Sequence, residues 1–210
     1  MKKLFAFALF TSLAFFAQAK GFQEGKHYEI VKAAPTQAPE VREYFSFYCP
    51  HCFKFEPLMT ELKEQLPADT KLIKNHVDFM RNASKKMQNI MSKALATAEV
   101  LNVEESQVAA IFKYIHVHRG VFTSLRDVRN VFVLNGVDGD AFDKTFASDA
   151  VQQRFEQMKK HQETLSKSGA LSSVPTVVVN GKYKVNTQSL DTDNFVKEYT
   201  QLVNYLLTLK

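Results

Sequence analysis

An α/β fold interrupted by an all-helical block is what this 210-residue sequence predicts, and three observations carry that reading. Short β-branched and aromatic runs occupy residues 41–48, 71–77 and 176–179, lengths that suit strands. Apolar side chains recur at helical spacing over residues 53–66, directly after the first run, and again from residue 191 to 207. Between the second and third strand runs, residues 82–169 read as helical almost throughout.

The elements follow in order. Lys2 and Lys3 precede an apolar stretch over residues 4–16, and Ala17-Gln18-Ala19 supplies the small-x-small pattern a signal peptidase reads. That stretch is shorter than the about 20 apolar residues a membrane span needs. The expectation is a leader of residues 1–19 cleaved after Ala19, leaving 191 residues for one domain or one domain with an insertion. Cleavage removes two basic residues and no acidic ones, lowering the formal charge from +5 to +3. The remaining charges are interspersed, and no basic stripe argues for nucleic acid.

Residues 20–40 are polar and hold one short strand near 27–31. Residues 41–48 (VREYFSFY) form a central strand, apolar enough for a sheet covered on both faces. The helix over 53–66 places Phe55, Leu58, Met59, Leu62 and Leu66 on one side, and Pro67 ends it. Residues 71–77 are the next strand. In the helical block, Met87, Ile90, Met91, Ala94 and Leu95 make one apolar face, and a second helix runs near 104–117. Ser124 caps a third, which stops at Asn135-Gly136, and Ser148 or Asp149 starts a long one that finishes before Gly169. Asn180-Gly181 signals a type I′ turn joining 176–179 to 182–185 as a hairpin.

The chemistry lies in Cys49-Pro50-His51-Cys52, which holds both cysteines of the chain. A structural disulfide is the plain alternative, and a weak one: closing a loop of about four residues gives only ~2 kcal/mol, against ~3 for fifteen. Cys49 ends a strand and opens a helix, so unpaired backbone N–H groups and the positive helix end face its sulfur. Such effects reach ~2 kcal/mol when partly buried, and one pKa unit is about 1.4 kcal/mol. The helix end thus lowers a thiol by roughly one unit. His51 adds a donor or a positive charge. Pro50 fits the first turn, where the helix needs no N–H. A stabilised thiolate makes the disulfide form an oxidant. Cys52, deeper in the helix, is the less acidic, resolving thiol.

Other uses of the motif fail on their neighbours. A c-type haem site needs His after the second cysteine, where Phe53 stands. A zinc site needs four ligands, and His116 and His118, the one spaced pair, diverge at a helix end and read as surface residues. No metal or cofactor is expected. Glu43 interrupts an apolar strand, so it is either exposed at the strand end or paired with a cation such as Lys74; buried near Cys52, it could take and return that thiol's proton. Val174-Pro175 is a candidate cis peptide, with an ordinary trans proline at a strand start as the alternative.

Three stretches then resemble the DsbA family of periplasmic disulfide oxidases. They are the run from Glu43 through Cys52, the Lys74-Asn75-His76-Val77 strand, and Val174-Pro175-Thr176 leading into Val179-Asn180-Gly181-Lys182-Tyr183. The resemblance implies a thioredoxin-like fold split into residues 20–81 and 158–210 by a helical insertion at 82–157. It implies a cis bond before Pro175, with the Val174 backbone beside Cys49 open to an extended substrate, and Glu43 and Lys74 as buried acid and charge partner. It also implies an apolar groove near Phe55, Met59, Met80, Gln188 and Phe195 that receives unfolded clients, and a DsbB-like membrane reoxidase. The expected protein is a periplasmic monomer that gives its disulfide to reduced, unfolded exported proteins. An isomerase or reductase on the same fold is the alternative, and a peptide-binding module that ignores its cysteines is a third; Cys49→Ser separates the last from the others.

Overall fold

The computed structural model describes residues 21–209. The expected leader and cleavage site lie outside these residues. The chain runs β1 (Tyr28–Ile30), β2 (Glu40–Phe45), α1 (Pro50–Gln65), β3 (Lys71–His76), then five helices, α2 (Lys85–Val100), α3 (Glu104–His116), α4 (Leu125–Leu134), α5 (Gly139–Phe146) and α6 (Asp149–Lys167). It closes with β4 (Thr176–Val179), β5 (Tyr183–Val185) and α7 (Phe195–Thr208). The strands form one sheet in the order β1-β5-β4-β2-β3, with β2 and β3 parallel and the other pairs antiparallel. This is the α/β architecture with a helical block that the residue pattern predicts.

Alternation along the strands sorts side chains between layers. Val41, Val177 and Val179 face a core shared with Leu58, Leu62, Tyr199, Leu202 and Leu206 of α1 and α7. Tyr44 and Val178 face the opposite layer with Leu165 and Leu171. A third cluster joins the helices of the block to Phe45, Phe47, Cys49 and Cys52, so the reactive cysteines sit where sheet and block meet.

Several boundaries differ from the sequence reading. β2 ends at Phe45 rather than 48, because residues 46–49 turn: the Cys49 N–H donates to the Ser46 carbonyl at 3.0 Å. α1 begins at Pro50 instead of 53 and runs through Pro57, which offers no N–H to the Phe53 carbonyl. α5 is an additional helix, capped by Asp138, whose carboxylate accepts from Ala141 N–H. α6 begins behind Ser148 and continues unbroken past residue 157. α7 starts at Phe195 rather than 191, since Asp191 accepts from the Asp193 N–H and holds a turn first. In the hairpin, Asn180 and Gly181 both have positive φ and Lys182 N–H donates to Val179, yet the first pair is Val179 with Tyr183, one residue beyond a two-residue loop.

Candidate active site

Cys49 is the N-cap of α1, and its sulfur accepts from the Cys52 N–H at 3.3 Å. A sulfur thus takes the place usually filled by a Ser or Asp oxygen. As a thiol it donates to the Val174 carbonyl at 3.5 Å, and the Val174–Pro175 bond is cis, as the resemblance implies. The sulfur is held at about 6, well below a thiol's ordinary 9.0. The largest cause is hydrogen bonding from the Cys52 thiol; burial opposes it, and the backbone N–H groups of Cys52 and His51 and the charge of exposed His51 add to the lowering. Cys52, fully buried, is driven the other way, by its bond to Cys49, then by burial and by the negative charges of Cys49 and Glu43. The two thiols, three residues apart, are therefore strongly unequal. Both are free.

Glu43 and Lys74 are direct register partners across parallel β2 and β3 and so share a face of the sheet. Their ion pair is 2.6 Å long, with the Glu43 side chain 0% exposed. Lys74 makes a second 2.6 Å contact to Glu56 of α1, and its ammonium lies 4.9 Å from the Phe45 ring centre. Burial alone would lower Lys74, but the two carboxylates raise it above its ordinary value. Burial pushes Glu56 up to about 7 against the pull of Lys74, with Glu43 adding to the rise. Glu43 Oε1 is buried and accepts no hydrogen bond from the described residues. Glu56 was not singled out in the sequence, although it stands one helical turn after Cys52, where side chains i and i+4 share a face.

His116 also departs from its sequence reading. It is no free surface residue: Nε2 lies 2.8 Å from the Phe47 carbonyl, and the ring stacks on Phe53 with centroids 5.2 Å apart and planes 11° from parallel. His76 is fully buried between Ser46 and Ser92, and burial lowers it to about 3, so it is a neutral hydrogen-bonding group. Among the described residues, no cluster of three or more His, Cys, Asp or Glu side chains is arranged to hold a metal.

The residues assigned to a groove do not converge. Phe55 and Phe195 both pack on Tyr199, 5.7 and 5.9 Å between ring centroids. Met59 is buried in the core beside Leu58 and Leu62, which is the packing alternative for an apolar helix face. Met80 packs instead against the cluster that contains the cysteines, and Gln188 is exposed on a short 3-10 turn. A cavity of about 910 Å³ opens between α1 and α3; of these five residues it touches only Met59, and it also reaches Glu56 and Lys74.

A strand-to-helix turn with an acidified N-terminal cysteine, a buried partner cysteine and a cis-proline loop against the sulfur defines a thiol:disulfide oxidoreductase. The model of the DsbA-like thioredoxin domain matches residues 40–199, and the chain belongs to that family. It is 37% identical to the thiol:disulfide interchange protein DsbA of Dickeya dadantii over all of both chains, and 36% identical to that of Yersinia pestis over 94% of each. The crystal structure of DsbA from Proteus mirabilis superposes with a TM-score of 0.79 at 30% identity, covering 90% of this chain and 98% of the other. A cysteine-to-serine variant of the same protein, solved with the non-covalently bound peptide PWATCDS, gives 0.80 at 29% identity over 90% and 100%. Among the described residues, no helix is long and apolar enough to cross a membrane.

Proposed function

We infer that the chain is a periplasmic disulfide oxidase, exported by its leader with cleavage after Ala19, that gives a Cys49–Cys52 disulfide to reduced, unfolded exported proteins. The observation that carries this reading is the acidity of Cys49, since a sulfur content as a thiolate leaves readily from a mixed disulfide and resists being oxidised again by its client. A client thiolate attacks the Cys49 sulfur; the S–S bond breaks and Cys52 leaves with the electron pair. Cys52 then takes up a proton, because its site strongly favours the neutral thiol. Glu56, near 7, is part-protonated at neutral pH and can supply that proton through the buried Glu43 carboxylate, with Lys74 holding both. The client's second thiolate attacks its own sulfur in the mixed disulfide and expels Cys49 as thiolate. Two client thiols become one disulfide, and the protein becomes the dithiol.

His51 supports the thiolate, Pro50 starts the helix without losing a needed N–H, and the Val174-Pro175 backbone presents the edge on which an extended client pairs. The peptide held by the Proteus mirabilis relative supports a client of this kind. Met80, packed with the cysteines, is assigned to client contact at this edge. Phe55, Phe195 and Gln188 are assigned to a separate client contact around the start of α7, and Met59 to core packing. A membrane reoxidase of the DsbB kind restores the disulfide, and the chain works as a monomer, with residues 82–157 as an insertion between the two thioredoxin-like parts. Mixing the disulfide form with a reduced, unfolded multi-thiol protein tests the reading. Client disulfides should form in proportion to loss of the Cys49–Cys52 bond; faster reduction of an oxidised client by the dithiol would reverse the assignment.

A further inference from the structure

The turn before the reactive cysteine is gripped from the helical block. Because the Cys49 N–H bonds the Ser46 carbonyl, residues 46–49 form a β-turn with the Phe47–Tyr48 peptide at its centre. Each polar end of that peptide is held. The Phe47 carbonyl meets His116 Nε2 of α3 at 2.8 Å, and the Tyr48 N–H donates to Ser46 Oγ at 3.2 Å. The following carbonyl, of Tyr48, accepts from Asn82 Nδ2 at 3.0 Å, in the loop that enters α2. Ser46 Oγ in turn lies 3.4 Å from His76 Nε2, and His76 Nδ1 lies 2.8 Å from Ser92 Oγ of α2. Ser92 donates its own proton to the Gln88 carbonyl, so it accepts from His76.

His116 stands out among these groups because it touches the turn and the helix start together. A carbonyl oxygen only accepts, so the His116 contact requires the proton on Nε2. The same ring lies flat on Phe53 in the first turn of α1. The N–H groups of His51 and Cys52 that support the Cys49 sulfur belong to that first turn. The seating of the sulfur over them is therefore set by a turn whose central peptide is tied to α3.

We propose that His116 is a positioning residue for Cys49: its Nε2–H fixes the Phe47 carbonyl and so seats the sulfur over the N-terminal N–H groups of α1. This rests on Cys49 being the reactive sulfur. Without the donor, the central peptide of the turn is held at its Tyr48 N–H end alone and can tilt, and the sulfur loses register with those N–H groups. The helical block then has a part in the chemistry as well as in shielding the site.

Two variants separate donation from packing. His116→Phe keeps a ring on Phe53 and removes the donor, whereas His116→Gln restores an N–H donor without the ring. The pH profile of Cys49 alkylation and the glutathione redox equilibrium are read for each, with thermal unfolding alongside. The expected result for His116→Phe is a higher alkylation midpoint and a two- to fivefold shift of the equilibrium toward the disulfide, about the worth of one hydrogen bond; His116→Gln should recover most of it. An unshifted His116→Phe, or a His116→Gln that behaves like it, overturns the proposal. Should His116→Phe not fold, the imidazole nitrogen chemical shifts of the wild-type protein decide, because a proton on Nδ1 alone is incompatible with the Phe47 contact. Failure of the underlying reading is seen separately, as a wild-type alkylation midpoint near that of an ordinary thiol.

Discussion

Replacing Lys74 with methionine should be costly in a pH-dependent way. The substitution keeps the stem and removes the cation that touches both Glu43 and Glu56. The three side chains are 0%, 21% and 13% exposed for Glu43, Glu56 and Lys74, so solvent screens the loss little. Removing one partner of a buried pair costs about 3–5 kcal/mol, because a charge is left without compensation. Glu56 already stands near 7 with Lys74 present and must move higher without it. A carboxyl raised in the folded state favours folding at low pH and loses that contribution as pH climbs through its folded value. The deficit should therefore be largest near pH 8 and narrow toward pH 5, where a proton settles on the carboxyl pair. Urea unfolding of the disulfide forms of wild type and Lys74→Met at both pH values measures it, with the cysteines kept out of the comparison. A deficit below about 1 kcal/mol, or one equal at pH 5 and pH 8, would refute the buried-triad reasoning.

Alkylation of Cys49 should follow a titration with midpoint near 6, and His51→Ala should raise that midpoint by removing a positive charge and leaving the helix-end N–H groups in place; an unchanged midpoint would remove His51 from the set of causes. Mixed with a client that already carries a disulfide, Cys52→Ala should attack it through Cys49 and accumulate the mixed disulfide, visible on a non-reducing gel, because no second thiol is present to release it; accumulation through Cys52 in the Cys49→Ala protein instead would reverse the order of attack. Glu56→Gln should slow thiol–disulfide exchange most near neutral pH, where the carboxyl is part-protonated, with thermal stability little changed at pH 5; a uniform slowing at all pH values would deny it a part in proton transfer.

Much of the site is legible locally. Cys49 to Cys52 declare themselves by adjacency to a strand and a helix. Glu43 is betrayed by sitting in an apolar strand, and Lys74 by occupying the neighbouring strand, although only the register Glu43 to Lys74 makes the pairing certain. Glu56 was legible in principle as the residue one turn beyond Cys52, but an exposed helix glutamate has the same local sequence. His116 was not legible: its partner is the Phe47 carbonyl, 69 residues away, and backbone acceptors carry no side-chain signature. The fold divides in the same way. Period-2 and helical patterns located the elements, while the early end of β2 and the late start of α7 were decided by turn hydrogen bonds at Ser46 and Asp191. The groove residues were the least readable, since an apolar side chain on a helix face looks alike whether it lines a surface or fills a core, as Met59 does.

The stability of the dithiol form relative to the disulfide form, followed from pH 5 to pH 8 by chemical unfolding of both, bears most directly on the acidity of Cys49. A thiol at about 6 when folded and 9.0 when unfolded stabilises the fold above those values, and loses that stabilisation as pH falls through 6. The dithiol should gain about 2.6 kcal/mol on the disulfide form across this range. A difference between the two forms that stays level from pH 5 to pH 8 would mean that the Cys49 thiolate has no special place in this fold.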